Sequence, residues 1–99
     1  MAFGVTREEI MDWKRRVMGG EIAFLTHYWH DPRFTHCRTV TKVGCANVDL
    51  LAEWCLKHGL NPRYIHMRRQ FPHFDLLGPR QREILERERQ WEQIIRFRL

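Results

Sequence analysis

Residues 38–67, RTVTKVGCANVDLLAEWCLKHGLNPRYIHM, decide the fold. Arg38 to Val43 alternates and is rich in β-branched residues, the pattern of a strand with two distinct faces. Gly44 interrupts it, and Asn47 is a good N-cap for a helix from Val48 to His58 that carries Leu50, Leu51, Trp54 and Cys55 on one face. Gly59 fits the left-handed position just past that helix, with Leu60 folding back on Cys55, which places Cys55 in the core. Asn61-Pro62 turns the chain into Arg63 to Met67, read as a short third strand. A strand, helix, strand order predicts a parallel pair joined by a right-handed crossover.

Outward from this unit, Thr6 and Glu9 form a capping box, with Val5 and Ile10 placed as a hydrophobic staple, so a helix begins at Arg7. Ile10, Trp13 and Val17 mark its buried stripe, and Gly19-Gly20 ends it. Glu21 to Trp29, EIAFLTHYW, is an apolar and aromatic run that reads as a buried strand, with His27 to Trp29 at its carboxyl end, where α/β sheets gather ligands. From Gly78-Pro79 the chain reads as one long charged helix. Its apolar stripe of Ile84, Leu85, Trp91, Ile94 and Ile95 is interrupted at Arg87-Glu88-Arg89. The expectation is a single α/β domain over residues 1–99. It has a short, mostly parallel or mixed sheet of about three strands, an N-terminal helix, a crossover helix and a long C-terminal helix.

Ninety-nine residues with four Trp and six Phe suit an ordinary small globule and exclude a disordered chain. No apolar run approaches the roughly 20 residues needed to span a bilayer, and MAFGVTREEI lacks the regions of a signal peptide, so no membrane partner and a cytoplasmic location are expected. Three cysteines, Cys37, Cys45 and Cys55, share no C-x-x-C spacing, which argues against a disulfide framework and for reduced, buried thiols.

The net charge of +5 is localised. Both ends of the chain balance, and the excess falls between His27 and Arg82, where nine Arg and Lys face Asp31, Asp49, Glu53 and Asp75. That argues for an anionic ligand, a nucleotide or nucleic acid, meeting the middle of the chain. Two stretches there concentrate the chemistry: HYWHDPRFTHCR, His27 to Arg38, and MRRQFPHFDLLGPR, Met67 to Arg80.

Two constellations follow from them. His27, His30 and His36 are candidate ligands for a divalent metal, and with Asp31, Cys37, His66, His73 and Asp75 they supply enough donors for Zn, Mn or Fe, although no spacing matches a known ligand pattern. The second is cationic. Arg33 and Arg38 flank one stretch and Arg68, Arg69, Arg80 and Arg82 belong to the other, whose Gly78-Pro79 opens a helix with free amides. Arginine forks beside a helix N-terminus suit phosphate, and Tyr28, Trp29, Phe34, Phe71 and Phe74 would stack on a base or sugar. Core aromatics with ordinary surface arginines are the plainer reading of the same residues.

The run from His30 to Arg38, the helix ending in His-Gly-Leu, the Pro-Arg-Tyr-Ile-His segment and Phe-Pro-His-Phe-Asp-Leu together resemble short bacterial proteins of the YneQ-like type. More distantly they are similar to a bacterial family of unknown function with D-P-R-W, H-x-R and H-Y-D motifs. The matching positions are Asp31 to Phe34, His36 with Arg38, and His73 with Asp75; Phe74 stands where that family has Tyr. The resemblance implies no activity, and selects Asp31, Arg33, His36, Arg38, His73 and Asp75. In that selection Asp75 would orient His73, or Asp31 would orient His36, as a general acid or base for phosphoryl or phosphodiester hydrolysis, with a phosphate held by Arg33 and Arg38. A binding module for a phosphate-bearing ligand is preferred to hydrolysis. A homodimer through the last helix is the third reading.

Overall fold

In the computed structural model, which describes residues 3–99, helix α1 (Arg7–Met18) starts as its residues dictate. Thr6 Oγ1 accepts from the Glu9 amide at 3.1 Å, and Glu9 Oε1 accepts from the Thr6 amide at 2.8 Å, completing the capping box. Strand β1 (Ala23–Tyr28) leads through a 3₁₀ turn at Pro32–Phe34 to β2 (Thr39–Gly44), and helix α2 (Val48–Lys57) follows. A second 3₁₀ turn at Pro62–Tyr64 precedes β3 (His73–Leu76), and the chain closes with α3 (Pro79–Arg87) and α4 (Trp91–Phe97).

The α/β class stands, but the sheet is not parallel. Its order is β1-β2-β3 and both pairings are antiparallel, with Thr26 opposite Thr41 and Val43 opposite Phe74. The reason lies in the segment read as a third strand. Arg63 to Met67 is a return leg: it starts in a 3₁₀ turn set by Pro62, pairs its backbone with the sheet at a one-residue bridge from His66 to His73, and carries the chain back to the end where β2 stopped. There Gly44 pairs with His73, so β3 must run antiparallel to β2. The true third strand, HFDL, lies inside the Met67 to Arg80 stretch and gives no clear strand signal, because it is short, half polar, and preceded by Pro72.

Alternation gives the sheet two unlike faces. Phe24, Thr26, Thr41, Val43, Phe74 and Leu76 share one face, which packs on Leu51, Trp54 and Cys55 of α2 and Ile84 of α3. Leu50, expected on the buried side of α2, is exposed. The α2 terminus follows expectation: Gly59 has φ +70°, and the Leu60 amide donates to the Cys55 carbonyl at 2.8 Å, leaving Cys55 fully buried with its thiol pushed up to about 11 by desolvation. On the opposite face α1 covers Ala23 and Leu25 with Trp13 and Val17. Strand β2 runs through Gly44 rather than ending before it. A Cβ there would stand 2.5 Å from Trp13 Cζ2 and 2.7 Å from Val17 Cγ2, so the glycine is what lets the helix sit down.

A polar chain crosses the first face. Thr39 donates to Gln81 Oε1 (3.1 Å), Gln81 Nε2 to Thr41 Oγ1 (3.0 Å), Thr41 to Thr26 Oγ1 (2.6 Å), and Thr26 to Gln93 Oε1 (2.6 Å). Each member donates onward, so the run is satisfied in one direction. Gln93 also accepts from the Thr26 amide and donates to the Phe24 carbonyl, covering the outer edge of β1 as a neighbouring strand would.

The expected long C-terminal helix is two helices. After α3 the Gln90 amide donates to the Leu85 carbonyl at 2.9 Å with Arg89 at φ +56°, a left-handed helix stop made without glycine. The charged interruption Arg87-Glu88-Arg89 is that corner, and Glu88 is held there by the Trp54 indole and by His58 Nε2 at 3.2 Å. Ile84, Leu85 and Ile94 are core, whereas Trp91 and Ile95 stay exposed.

Two stability measurements test this packing. Gly44→Ala is expected to cost about 1–3 kcal/mol in urea denaturation, because Trp13 and Val17 must move; a neutral change would contradict the close approach. Arg89→Gly should add about 0.5–1 kcal/mol by relieving the left-handed backbone at a non-glycine residue, and a loss of stability would show that the corner is held otherwise.

Candidate functional site

Helix α1 covers only the Gly44 end of its face. The remainder, with His27, Val40, Lys42 and Asp75, floors a cleft of 690 Å³ walled by Trp29, Asp31, Arg33 and Phe34 on one side and by Tyr64 and His66 on the other. The size is that of a small-molecule site.

The floor is built by strand register. Lys42 lies opposite Asp75, and His73 shares their face two residues along β3. The backbone bridge from His66 to His73 brings their rings together at 5.1 Å between centroids and 24° between planes. Asp75 thus meets three nitrogens: His66 Nε2 lies 3.2 Å from Oδ2, and His73 Nε2 and Lys42 Nζ lie 3.6 and 3.9 Å from Oδ1. Among the described residues, Asp75 Oδ1 is buried without a hydrogen-bond partner. His73 Nδ1 is 3.0 Å from the Phe71 carbonyl, to which it must donate, so Nε2 carries the lone pair and accepts from Lys42 Nζ at 3.4 Å. His27 is alike: Nδ1 donates to the Tyr28 carbonyl at 2.9 Å, and Nε2 is buried and unpartnered among the described residues. Burial pushes both imidazoles below their usual pKa, and Lys42 lowers them further. Both are neutral bases at neutral pH.

The wall is built by a turn. Asp31 caps Pro32–Phe34, accepting from the Arg33 amide at 2.8 Å and from Arg33 Nε and Nη2 at 3.0 and 2.7 Å. Arg33 holds that carboxyl down to about 2, and its guanidinium lies over the Phe34 ring at 5.5 Å. Trp29 packs on Phe34 at 5.9 Å between centroids.

The residues singled out from the sequence are therefore divided. His27, Trp29, Asp31, Arg33 and Asp75 line the cleft, and His73 stands beside it. Exposed His36 and Arg38 sit with Cys37, Gly78 and Pro79 around a separate hollow, so Asp31 is engaged by Arg33 while His36 lies elsewhere. His30 lies in a third hollow with Phe3 and Tyr28, and Tyr28 packs edge-on against Phe97. Arg80 donates to the His58 carbonyl and closes the end of α2. Arg68 and Arg69 are exposed in the loop between His66 and His73. Sequence reading passed over Lys42, whose signal was a charged residue inside an otherwise buried central strand.

Fold and site together define a small α/β protein with a three-stranded antiparallel sheet, one face helix-covered, the other half open over a histidine and carboxylate cluster. The chain is 56% identical over 99 residues, spanning 100% of both proteins, to the uncharacterised protein YneQ of Bacillus subtilis (strain 168), and it belongs to that family. No family model matches the chain, and no solved structure matches it.

The Asp31 turn gives a pH prediction. Its folded pKa, about 2, lies below the ordinary 3.8, so the stability the Arg33 pair contributes is fully present above 3.8 and is lost as pH falls from there through about 2, while in the folded protein the pair itself breaks as pH falls through about 2. The Trp29 indole resonance in a two-dimensional NMR titration should shift with a midpoint near that folded value in wild type and not in Asp31→Asn; identical titrations would contradict the pairing.

Proposed function

We propose that the protein binds a small phosphate-bearing ligand, of nucleotide size, in the cleft over Lys42. The observation that carries this reading is the meeting, in one cleft, of aromatic side chains on both walls (Trp29 and Phe34 across from Tyr64) with Lys42 and Arg33 above the neutral His27 imidazole. An aromatic wall takes a base or sugar through its π-face, and the ammonium and guanidinium take phosphate oxygens. Arg33 forms three contacts with Asp31 yet keeps most of its side chain in solvent, so its fork is held in place and open on its outer side. This reading needs fewer arginines than the sequence offered. Arg80 is committed to α2, and Arg38 faces another hollow.

The test is titration with ADP, followed by calorimetry. Saturable binding is expected, with Lys42→Gln weakening it about tenfold or more, since a charge-assisted contact to phosphate contributes roughly 1.5–3 kcal/mol. Arg38→Ala should leave it unchanged. Absence of saturable binding, or equal affinity in Lys42→Gln and wild type, would overturn the reading.

A further inference from the structure

We propose that His66, His73 and Asp75 form a binding site for a divalent transition-metal cation, zinc in type, at the floor of the cleft. Their donor atoms lie within 4.8 Å of one another. An ion bonded at about 2.0–2.2 Å in tetrahedral geometry holds its donors about 3.3 Å apart; His66 Nε2 stands 3.2 Å from Asp75 Oδ2 and His73 Nε2 3.6 Å from Asp75 Oδ1, so a modest turn of the carboxylate and of the exposed His66 ring closes the set on one ion. Two imidazoles and a carboxylate are the ligand set of an open three-residue zinc site, in which the fourth position is left for water or for an oxygen of a bound molecule. His66 and Asp75 line the cleft, so for this part the inference rests on the proposed ligand, a phosphate oxygen being a suitable occupant of the fourth position.

Three further observations point to a cation. The first is orientation: His73 donates Nδ1–H to the Phe71 carbonyl, which fixes the ring with its Nε2 lone pair toward Asp75, the arrangement that outer hydrogen bonds impose on metal-ligating histidines. The second is an unmet electrostatic demand. The His73 lone pair and the Asp75 carboxylate face each other, Asp75 Oδ1 is buried without a partner among the described residues, and the nearest positive charge on it is Lys42 Nζ at 3.9 Å. Two electron-rich groups in that relation are stabilised by a cation held between them. Lys42 is a partial substitute, and its flexible stem lets it withdraw toward the cleft. The third is His27, 4% exposed, on the same sheet face, with its own Nδ1 fixed by a carbonyl and its Nε2 unpartnered among the described residues. A water on the ion would give that nitrogen a donor.

Protein freed of metal with a chelator is titrated with zinc by calorimetry, and with cobalt by visible absorption. One ion per chain is expected. His66→Gln is the informative variant, because His66 is exposed and lies outside the buried core. Its thermal unfolding without metal should match wild type, and its zinc affinity should fall roughly 100-fold or more, beyond what outer-shell partners lose. Lys42→Gln should bind zinc at least as tightly as wild type, since it removes a competing cation. No saturable zinc binding, equal affinity in His66→Gln, or loss of zinc binding in Lys42→Gln would overturn the site. Repeating the ADP titration with and without zinc separates the two readings. Zinc binding without ADP binding removes the ligand reading alone, and ADP binding by a chain that takes no zinc removes the metal site alone.

Discussion

The approach of the Trp13 indole to Gly44 determines how the sheet is used. With no side chain at Gly44, α1 packs directly on the backbone of the central strand, and the indole nitrogen donates to the Ala23 carbonyl at 3.0 Å. A twelve-residue helix seated there covers Ala23, Leu25 and Gly44 and stops. Beyond it the face carries His27, Lys42, His73 and Asp75, which a helix with an apolar stripe would not tolerate. The cleft is thus what remains when one helix covers half of a three-stranded face.

The opposite face solves a different problem. Two short helices must be fixed on a sheet too small to hold them by apolar contact alone, and the Thr39-Gln81-Thr41-Thr26-Gln93 chain supplies direction as well as contact. Such a chain specifies one register, since a shift of one residue would leave buried hydroxyls and amides unpaired. Arg96 adds a peripheral tie, pairing with Glu9 and with the Gly4 carbonyl to join the last helix to the first.

Local rules were legible in the sequence and long-range ones were not. The Thr6 and Glu9 box, the Asn47 cap and the Gly59 stop each depend on residues within a few positions, and all three form as read. The direction of β3 depends on where the chain goes between Leu60 and Pro72, and a one-residue bridge at His66 carries no periodic signal. The corner at Arg89 was visible only as a gap in an apolar stripe, because an arginine in left-handed backbone breaks the expectation of glycine there. In the site, His73 and Asp75 fall together because they are two apart on one strand. Arginines that looked collective from their abundance are parted by topology, with Arg33 at the cleft, Arg38 at another hollow and Arg80 on the end of α2.

The central claim is that carbonyls fix the His27 and His73 rings by their Nδ1–H groups at the floor of the cleft, and that His66, His73 and Asp75 take up a cation there. Long-range proton–nitrogen NMR correlation of the six histidine rings, recorded before and after adding zinc, tests it most directly. The account predicts Nδ1–H tautomers for His27 and His73 in the metal-free protein, with zinc shifting the Nε2 signals of His66 and His73 and leaving those of His30 and His36 in place. An Nε2–H tautomer at His73, or zinc responses confined to His30 and His36, would contradict it.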